Sequence, residues 1–292
     1  MFSKANEIAS EYTKPVIISH RFYDKTVECG CGAYVIINED GWIVSVTHIL
    51  ESFFVFQKHS QEIKDFNKRV DAIRKNPTLN EKQMAKMISR VKANPKWITN
   101  HSFWWAFDGV ELKDVKMLRE ADLLVGRLEP FDQTSVRTYP VLKNPQTTPV
   151  GTSLCKLGFP FHQINATFDE SNNTFTIAPG VLPLPRFPIE GIYTRNASAG
   201  KSKDGKYDIR FLETSTPGLR GQSGGPIFDV KGQIWAIQSH TRHLPLGFSP
   251  KVIKNKKEVE ENQFLNVGLG VHVDVLVAFL NDNGIRFNLS TD

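Results

Sequence analysis

The sequence predicts an all-β fold with helical additions, and three observations carry that prediction. Short runs rich in Val, Ile, Phe and Trp are punctuated at close intervals by Gly, Pro, Asn and Asp, the texture of a β-barrel or β-sandwich. Two strand–turn–strand patterns stand out within that texture. Two other stretches follow helical spacing instead, one inside the chain and one near its C-terminus.

In chain order, the first pattern is Ala33-Tyr34-Val35-Ile36-Ile37, the turn Asn38-Glu39-Asp40-Gly41, and Trp42-Ile43-Val44-Ser45-Val46. In the next stretch Ile63, Phe66, Val70 and Ile73 recur at helical spacing. Asn76-Pro77 ends that helix, and Thr78-x-x-Glu81 has the pattern of a capping box that opens another. Met84, Met87, Ile88 and Val91 form its apolar stripe before Asn94-Pro95. Residues 58–94 therefore read as a helical hairpin inserted into a β protein. Residues 151–159 and 265–273 are strand candidates, and Ile227-Phe228, Asp229 to Gly232, and Gln233 to Ile237 repeat the hairpin pattern. Asp274 to Asn283 reads as a short helix capped by Gly284.

Composition bounds the function classes. The chain has 292 residues, 40% of them hydrophobic, enough apolar material for a sizeable core and too much for wholesale disorder. No apolar run approaches the roughly 20 residues that cross a bilayer, and MFSKANEIAS lacks the apolar centre of a secretory signal. A chain outside the membrane, resident in the cytoplasm, is expected. Cys29 and Cys31 lie two apart on one strand and cannot meet, and Cys155 is alone. Reduced structural thiols are expected, with no metal and no cofactor. The formal charge of +5 is unevenly placed. Residues 57–96 hold eleven Lys and Arg against four Asp and Glu, so the basic character belongs to the inserted hairpin.

The most informative stretch is Gly221-Gln222-Ser223-Gly224-Gly225-Pro226. A serine hydroxyl is a poor nucleophile until a base takes its proton. The oxyanion it creates needs preorganised donors, which backbone N–H groups in a tight Gly-rich turn supply. The N–H groups of Gly221 and Ser223 are the candidate donors. A plain glycine turn carrying a serine would look the same in isolation, so partners decide. Val44-Ser45-Val46-Thr47-His48 puts a histidine where an apolar strand ends, a place for an exposed base. Glu120-Ala121-Asp122-Leu123-Leu124-Val125 puts a carboxylate at the head of an apolar strand, where it can orient His48 and stabilise its imidazolium. Asp108 and Asp114 compete for that role from more polar surroundings.

The order His48, Asp122, Ser223, each in its own motif, resembles that of the chymotrypsin-like (trypsin-like) serine proteases and differs from subtilisin-like and α/β-hydrolase enzymes. The texture is closest to the peptidase domain of the bacterial HtrA/Deg branch. Cys29-Gly30-Cys31-Gly32-Ala33-Tyr34-Val35-Ile36 resembles that branch's Gly-Ser-Gly strand. Leu157-Gly158-Phe159-Pro160-Phe161 resembles its turn opening the second barrel, and Gly268-Leu269-Gly270-Val271 its closing strand. The resemblance implies two six-stranded antiparallel β-barrels, about 14–135 and about 148–273, in a peptidase domain over 14–285 that ends on a helix at 274–284. It implies a serine endopeptidase acting on protein or peptide substrates through His48, Asp122 and Ser223, with Gly221 and Ser223 as oxyanion hole. It also implies substrate contacts from Pro217, Ser239, His240 and Thr241, in the loop before the nucleophile and the strand after it.

Departures narrow what carries over. Gln222 stands where trypsins have the Asp that pairs with a newly released N-terminus, so activation by insertion of that terminus has no anchor. The chain after the last helix leaves no room for a PDZ-like domain, so neither trimerisation nor PDZ-mediated regulation is expected. His48 and Asp122 are 74 residues apart, against roughly 45 in the chymotrypsin template, an excess that falls on the inserted hairpin. No acid stands near Pro217, which disfavours cleavage after Lys or Arg. His240, Arg242 and His243 either favour an acidic or amide-bearing residue or simply face solvent. A catalytically weak or regulatory protein-binding module on the same fold is the alternative function. The basic hairpin could attract an acidic protein partner. Nucleic-acid binding as a primary role is not expected, since its charges are spread around helices with apolar stripes.

Overall fold

The computed structural model describes residues 1–254 and 257–291. It opens on a helix with no marked apolar period in the sequence, α1 (Ser3–Tyr12), which turns Ala5, Ala9 and Tyr12 inward. Two alanines and one aromatic make a narrow stripe, and the Tyr12 hydroxyl fastens it by donating to the Gly232 carbonyl at 3.1 Å.

Two β units follow. The first uses β1 (Thr13–Phe22), β2 (Val27–Ile36), β3 (Trp42–Ser45), β4 (Ile98–Trp104), β5 (Glu111–Leu118) and β6 (Leu123–Glu129). Their order is β4-β1-β2-β3-β6-β5, all pairs antiparallel. The sheet curls into a half-barrel and stays open, since among the described residues no pairing joins β4 to β5. The expected hairpin is its centre: Val35 pairs with Val44 and Ile36 with Ile43, around a turn where Gly41 has φ +79°.

The second unit begins after the two-residue strand β7 (Val141–Leu142). It uses β8 (Ser153–Lys156), β11 (Ile189–Lys201), β12 (Asp208–Thr214), β13 (Pro226–Phe228), β14 (Ile234–Pro245) and β17 (Phe264–His272), with the hairpins β9 (Ala166–Asp169)–β10 (Thr174–Ile177) and β15 (Lys251–Lys254)–β16 (Lys257–Glu260) in between. β13 pairs with both β8 and β14, which closes a ring of six strands. The helix α4 (Val273–Asp282) buries Val273, Val275, Leu276, Phe279 and Leu280. After it, β18 (Asn288–Leu289) pairs in parallel with β7.

The inserted hairpin differs from expectation in its bounds. Its first helix, α2 (Glu51–Arg74), follows directly on the short 3-10 turn Thr47–Leu50 and not at residue 58. Its second, α3 (Glu81–Ile88), is capped by Asn80 and Gln83, each side chain bonded to the other's backbone N–H. Thr78 instead bonds Asn76 in a turn. The expected stripes are thin: only Val70 of α2 is buried, and no residue of α3 is. Polar groups dock α2 on β4 and the residue before it. Ser52 Oγ meets His101 Nε2 at 3.0 Å, His59 Nδ1 accepts from the Ile98 N–H at 2.9 Å, and Glu62 accepts from Trp97 Nε1 at 2.6 Å. These partners recur along one face of α2 and run antiparallel down β4, whose unpaired edge they cover.

Candidate active site

The sequence GQSGGP forms a tight turn at the face of the closed ring. Gly221 has φ +94° and Gly224 φ +84°. An added Cβ on Gly224 would lie 2.0 Å from the Ala33 carbonyl oxygen, so the close approach of the two β units requires glycine there. That approach is cemented by the Ala33 N–H, which donates to the Ser223 carbonyl at 2.7 Å. Within the turn, the N–H groups of Gln222, Gly224 and Gly225 donate to the carbonyls of Leu219, Gln238 and Gln222. Among the described residues, the N–H groups of Gly221 and Ser223 have no acceptor, which leaves both free for an oxyanion. Gln222 is fully buried. Its amide accepts from the Leu219 N–H at 3.0 Å and donates to the Phe187 carbonyl at 3.3 Å. It thus pins the loop from inside, where a trypsin would use an ion pair.

Asp122 reaches His48 from the first unit. The short turn Arg119–Ala121 ends on Asp122 with φ +55°, a left-handed conformation that Asp tolerates better than most residues. Its Oδ2 lies 2.8 Å from His48 Nδ1, and its Oδ1 accepts from the His48 N–H at 3.0 Å and Thr47 Oγ1 at 2.8 Å. Ser239 Oγ donates to Oδ2 at 2.5 Å. Burial pushes the Asp122 carboxyl up, but the donors and charge around it win and hold it below the usual range. Burial likewise pushes His48 down, yet the Asp122 carboxylate, aided by Glu51, raises it above its ordinary value. The competing carboxylates are engaged elsewhere: Asp108 accepts from Trp104 Nε1 at 2.8 Å and Asp114 pairs with Arg127 Nε at 3.2 Å.

His48 and Ser223 line two adjoining cavities. One, of about 530 Å³, is also lined by Pro217, Ser239, His240 and Thr241. The other, of about 450 Å³, is lined by Cys31, Phe161 and Gly221 among others. Ser223 Oγ makes a long hydrogen bond to the Ser239 carbonyl at 3.4 Å, and none joins it to His48 among the described residues. His243 shares the first cavity, whereas Arg242 does not. Among the described residues no group of three His, Cys, Asp or Glu could hold a metal ion. The three cysteines are free, and burial pushes Cys31 up to about 12, which makes it a weak nucleophile at neutral pH.

Sequence reasoning missed Lys156. This lysine is fully buried, and its Nζ donates to Thr214 Oγ1 at 3.1 Å and to the carbonyls of Thr216 and Pro217 at 2.6 and 2.8 Å. Burial pulls its ammonium down to about 7. A lysine inside the apolar run Leu154-Cys155-Lys156-Leu157 was the available signal; its acceptors, some sixty residues on, gave none. Ser239 was expected only as a substrate contact, and Thr47 only as the residue before His48. Both bond the carboxylate of Asp122.

No protein-family model matches the chain, and no curated protein sequence matches it. Among solved structures it is similar to the HtrA-type protease AlgW with a tripeptide, at a TM-score of 0.46 and 13% identity over 98% of this chain and 65% of that one. A variant of the same protease with a tripeptide gives a TM-score of 0.46 and 12% identity over 97% and 63%. The chain thus spans just under two thirds of the length of those two proteins.

Proposed function

We propose that this protein is a serine endopeptidase that cleaves peptide bonds of protein or peptide substrates through His48, Asp122 and Ser223. The observation that carries the reading is the junction between the two β units. Asp122 holds His48 by Nδ1, leaving Nε2 directed away from that bond, and His48 and Ser223 line the same two cavities. In this reading the Ser223 proton passes to His48 as Oγ attacks the substrate carbonyl. The oxyanion is met by the N–H groups of Gly221 and Ser223. His48 then gives the proton to the leaving amine, and later takes one from the water that frees the acyl group. Pro217, Ser239, His240 and Thr241 would contact the substrate on the acyl side. Three unpaired thiols fit residence in a reducing compartment, the cytoplasm.

The missing Ser223–His48 hydrogen bond favours a second reading, a protein-binding module with a misaligned triad. A fluorophosphonate probe separates the two. The active enzyme labels at Ser223 and hydrolyses a peptide mixture. Ser223→Ala abolishes both, and His48→Ala lowers hydrolysis by about 10⁴-fold or more. A folded wild-type protein that neither labels nor cleaves peptides is the binding module.

A further inference from the structure

Lys156 has no part in the proposed chemistry, yet its amine stands directly behind the loop that leads to Ser223. It ends β8, where it pairs with Ile189 of β11 and Ile227 of β13. Its neighbours Leu154, Cys155 and Leu157 are buried with it. An amine in such surroundings is costly unless its donors are used. Here they are all used. Nζ donates to Thr214 Oγ1 at 3.1 Å and to the carbonyls of Thr216 and Pro217 at 2.6 and 2.8 Å. The partners are oxygens of uncharged groups, one for each N–H of the ammonium. A neutral amine would still have an N–H for each carbonyl.

Adjacent carbonyls of a strand face opposite edges. Those of Thr216 and Pro217 converge on one atom instead, so the loop folds around Lys156 Nζ. Pro217 and Gly218 line the cavity shared with His48 and Ser223, whereas Lys156 does not line it. The loop is gripped from β14 as well. Gly218's carbonyl accepts from Thr241 Oγ1 at 2.6 Å. The Gln238 amide, held by the carbonyls of His240 and Leu269 at 3.2 Å each, would lie 2.2 Å from a Cβ added to Gly218. The nucleophile turn has separate ties, from Gln222 to Leu219 and from Gly224 to Gln238, and none of them passes through Lys156.

We infer that Lys156 is a positioning residue for substrate selection: it holds Thr216-Pro217-Gly218 as the wall on which the acyl-side residue of the substrate rests, without touching the substrate and without orienting Ser223. Removing its head leaves two buried carbonyls unpaired, and the loop must turn to find water. This inference rests on the proposed peptidase reading for the pocket's role, and it deepens that reading by adding a residue that governs selectivity.

The test uses fluorogenic tetrapeptides that differ only in the last residue, Gly, Ala, Leu, Phe, Gln, Glu or Lys. For each protein it reads the ratio of kcat/KM between the best side chain and Gly. Lys156→Met keeps the stem and removes the head. In this variant the ratio should fall at least about tenfold, through KM, because a displaced wall misplaces only the side chain that rests on it. The Gly peptide and the rate of fluorophosphonate labelling at Ser223 should stay within about threefold. Lys156→Ala should lose the ratio in the same way. Added n-propylammonium, which supplies the carbons and the nitrogen that alanine lacks, should restore it, and 1-propanol should not. Thermal melts report folding. A wild-type panel with no preference over Gly, or an unchanged ratio in folded Lys156→Met, overturns the inference. An equal loss across the panel with labelling included, or variants that stay unfolded with and without propylammonium, also overturns it, by making Lys156 a support of the whole ring. The same peptides with a free C-terminal carboxylate, titrated by calorimetry against Ser223→Ala protein with and without Lys156→Met, read the pocket whether or not the chain hydrolyses anything. An absence of fluorophosphonate labelling in wild type overturns the peptidase reading instead and leaves that calorimetric ratio to decide the role of Lys156.

Discussion

The two sides of the junction are built differently. The Ser223 side belongs to a closed six-strand ring, and its turn is tied by backbone bonds to Leu219, Gln238 and Ala33. The His48 side belongs to an open sheet, and His48 lies in a single 3-10 turn that runs straight into the 24-residue α2. One side is held by the backbone, and the other by one carboxylate that collects four hydrogen bonds. A turn held by many backbone bonds resists loss of any one side chain. A histidine oriented by a single carboxylate does not.

Breaking that carboxylate should therefore produce the largest effect. Asp122→Asn should lower peptide hydrolysis by about 10⁴-fold, because an amide presents a donor or the wrong tautomer partner to His48 Nδ1. Asp108→Asn and Asp114→Asn should stay within about threefold of wild type; a dead Asp114 or Asp108 variant beside an active Asp122→Asn would reassign the carboxylate. The pH profile gives the sign independently. Hydrolysis needs neutral His48, and Asp122 raises its pKa, so wild-type kcat/KM should rise with pH through a midpoint above about 6.5. In Asp122→Asn the residual rate should rise at a lower pH than in wild type. An unmoved midpoint would mean that another group titrates.

On the other side the sensitive position is a glycine. Gly224→Ala forces a Cβ to within 2.0 Å of the Ala33 carbonyl oxygen in a left-handed backbone. We expect a loss of about 2–4 kcal/mol in denaturant unfolding and about a hundredfold slower hydrolysis, since Ser223 must shift to relieve the clash. A variant with wild-type stability would show that the two units slide apart easily, and the rigid half of the comparison would fall.

The same contrast governs what could be read from the sequence. The Gly-rich turn and the two hairpins were legible because local rules make them. Gly41 and Gly232 take φ +79° at the turn positions where glycine was expected, and the flanking apolar runs pair as anticipated. The histidine at the end of β3 was legible for the same reason. The start of α2 was not. Phe53-Phe54-Val55-Phe56 puts apolar residues at adjacent positions and marks no single helical stripe; in the structure Phe53 and Phe56 flank His101 and Phe54 lies under the Arg119 guanidinium. Asp122 could be singled out from three acids only by the strand after it, because its left-handed turn has no sequence mark. Lys156 and Gln238 depend on partners supplied by tertiary structure alone.

The smallest expected effect concerns the outer end of the hairpin and sharpens the comparison most. The anchors of α2 on β4 and Trp97 are Ser52, His59 and Glu62, with Phe66 edge-on to Trp97 at 5.7 Å. Replacing all of residues 58–94 removes three of the four. Replacing only 71–92 with an eight-residue Gly/Ser linker keeps every one of them and deletes α3, none of whose residues is buried. Eight residues span at most about 28 Å, enough to return the chain alongside a shortened α2. The shorter replacement should lower the melting temperature by only a few degrees, leave the labelling rate at Ser223 unchanged, and keep small-peptide kcat/KM within about twofold. It also removes Arg74, Lys75, Lys82, Lys86, Arg90 and Lys92 against two acids, Asp71 and Glu81. If this surface draws in acidic protein substrates, their KM should rise several-fold, and the difference from wild type should shrink as salt rises above physiological strength. Unchanged KM for acidic proteins at low salt would assign the outer hairpin no recruiting role. A large fall in melting temperature would instead show that the open sheet leans on the whole hairpin, and the loosely held half of the site would prove as integrated as the ring.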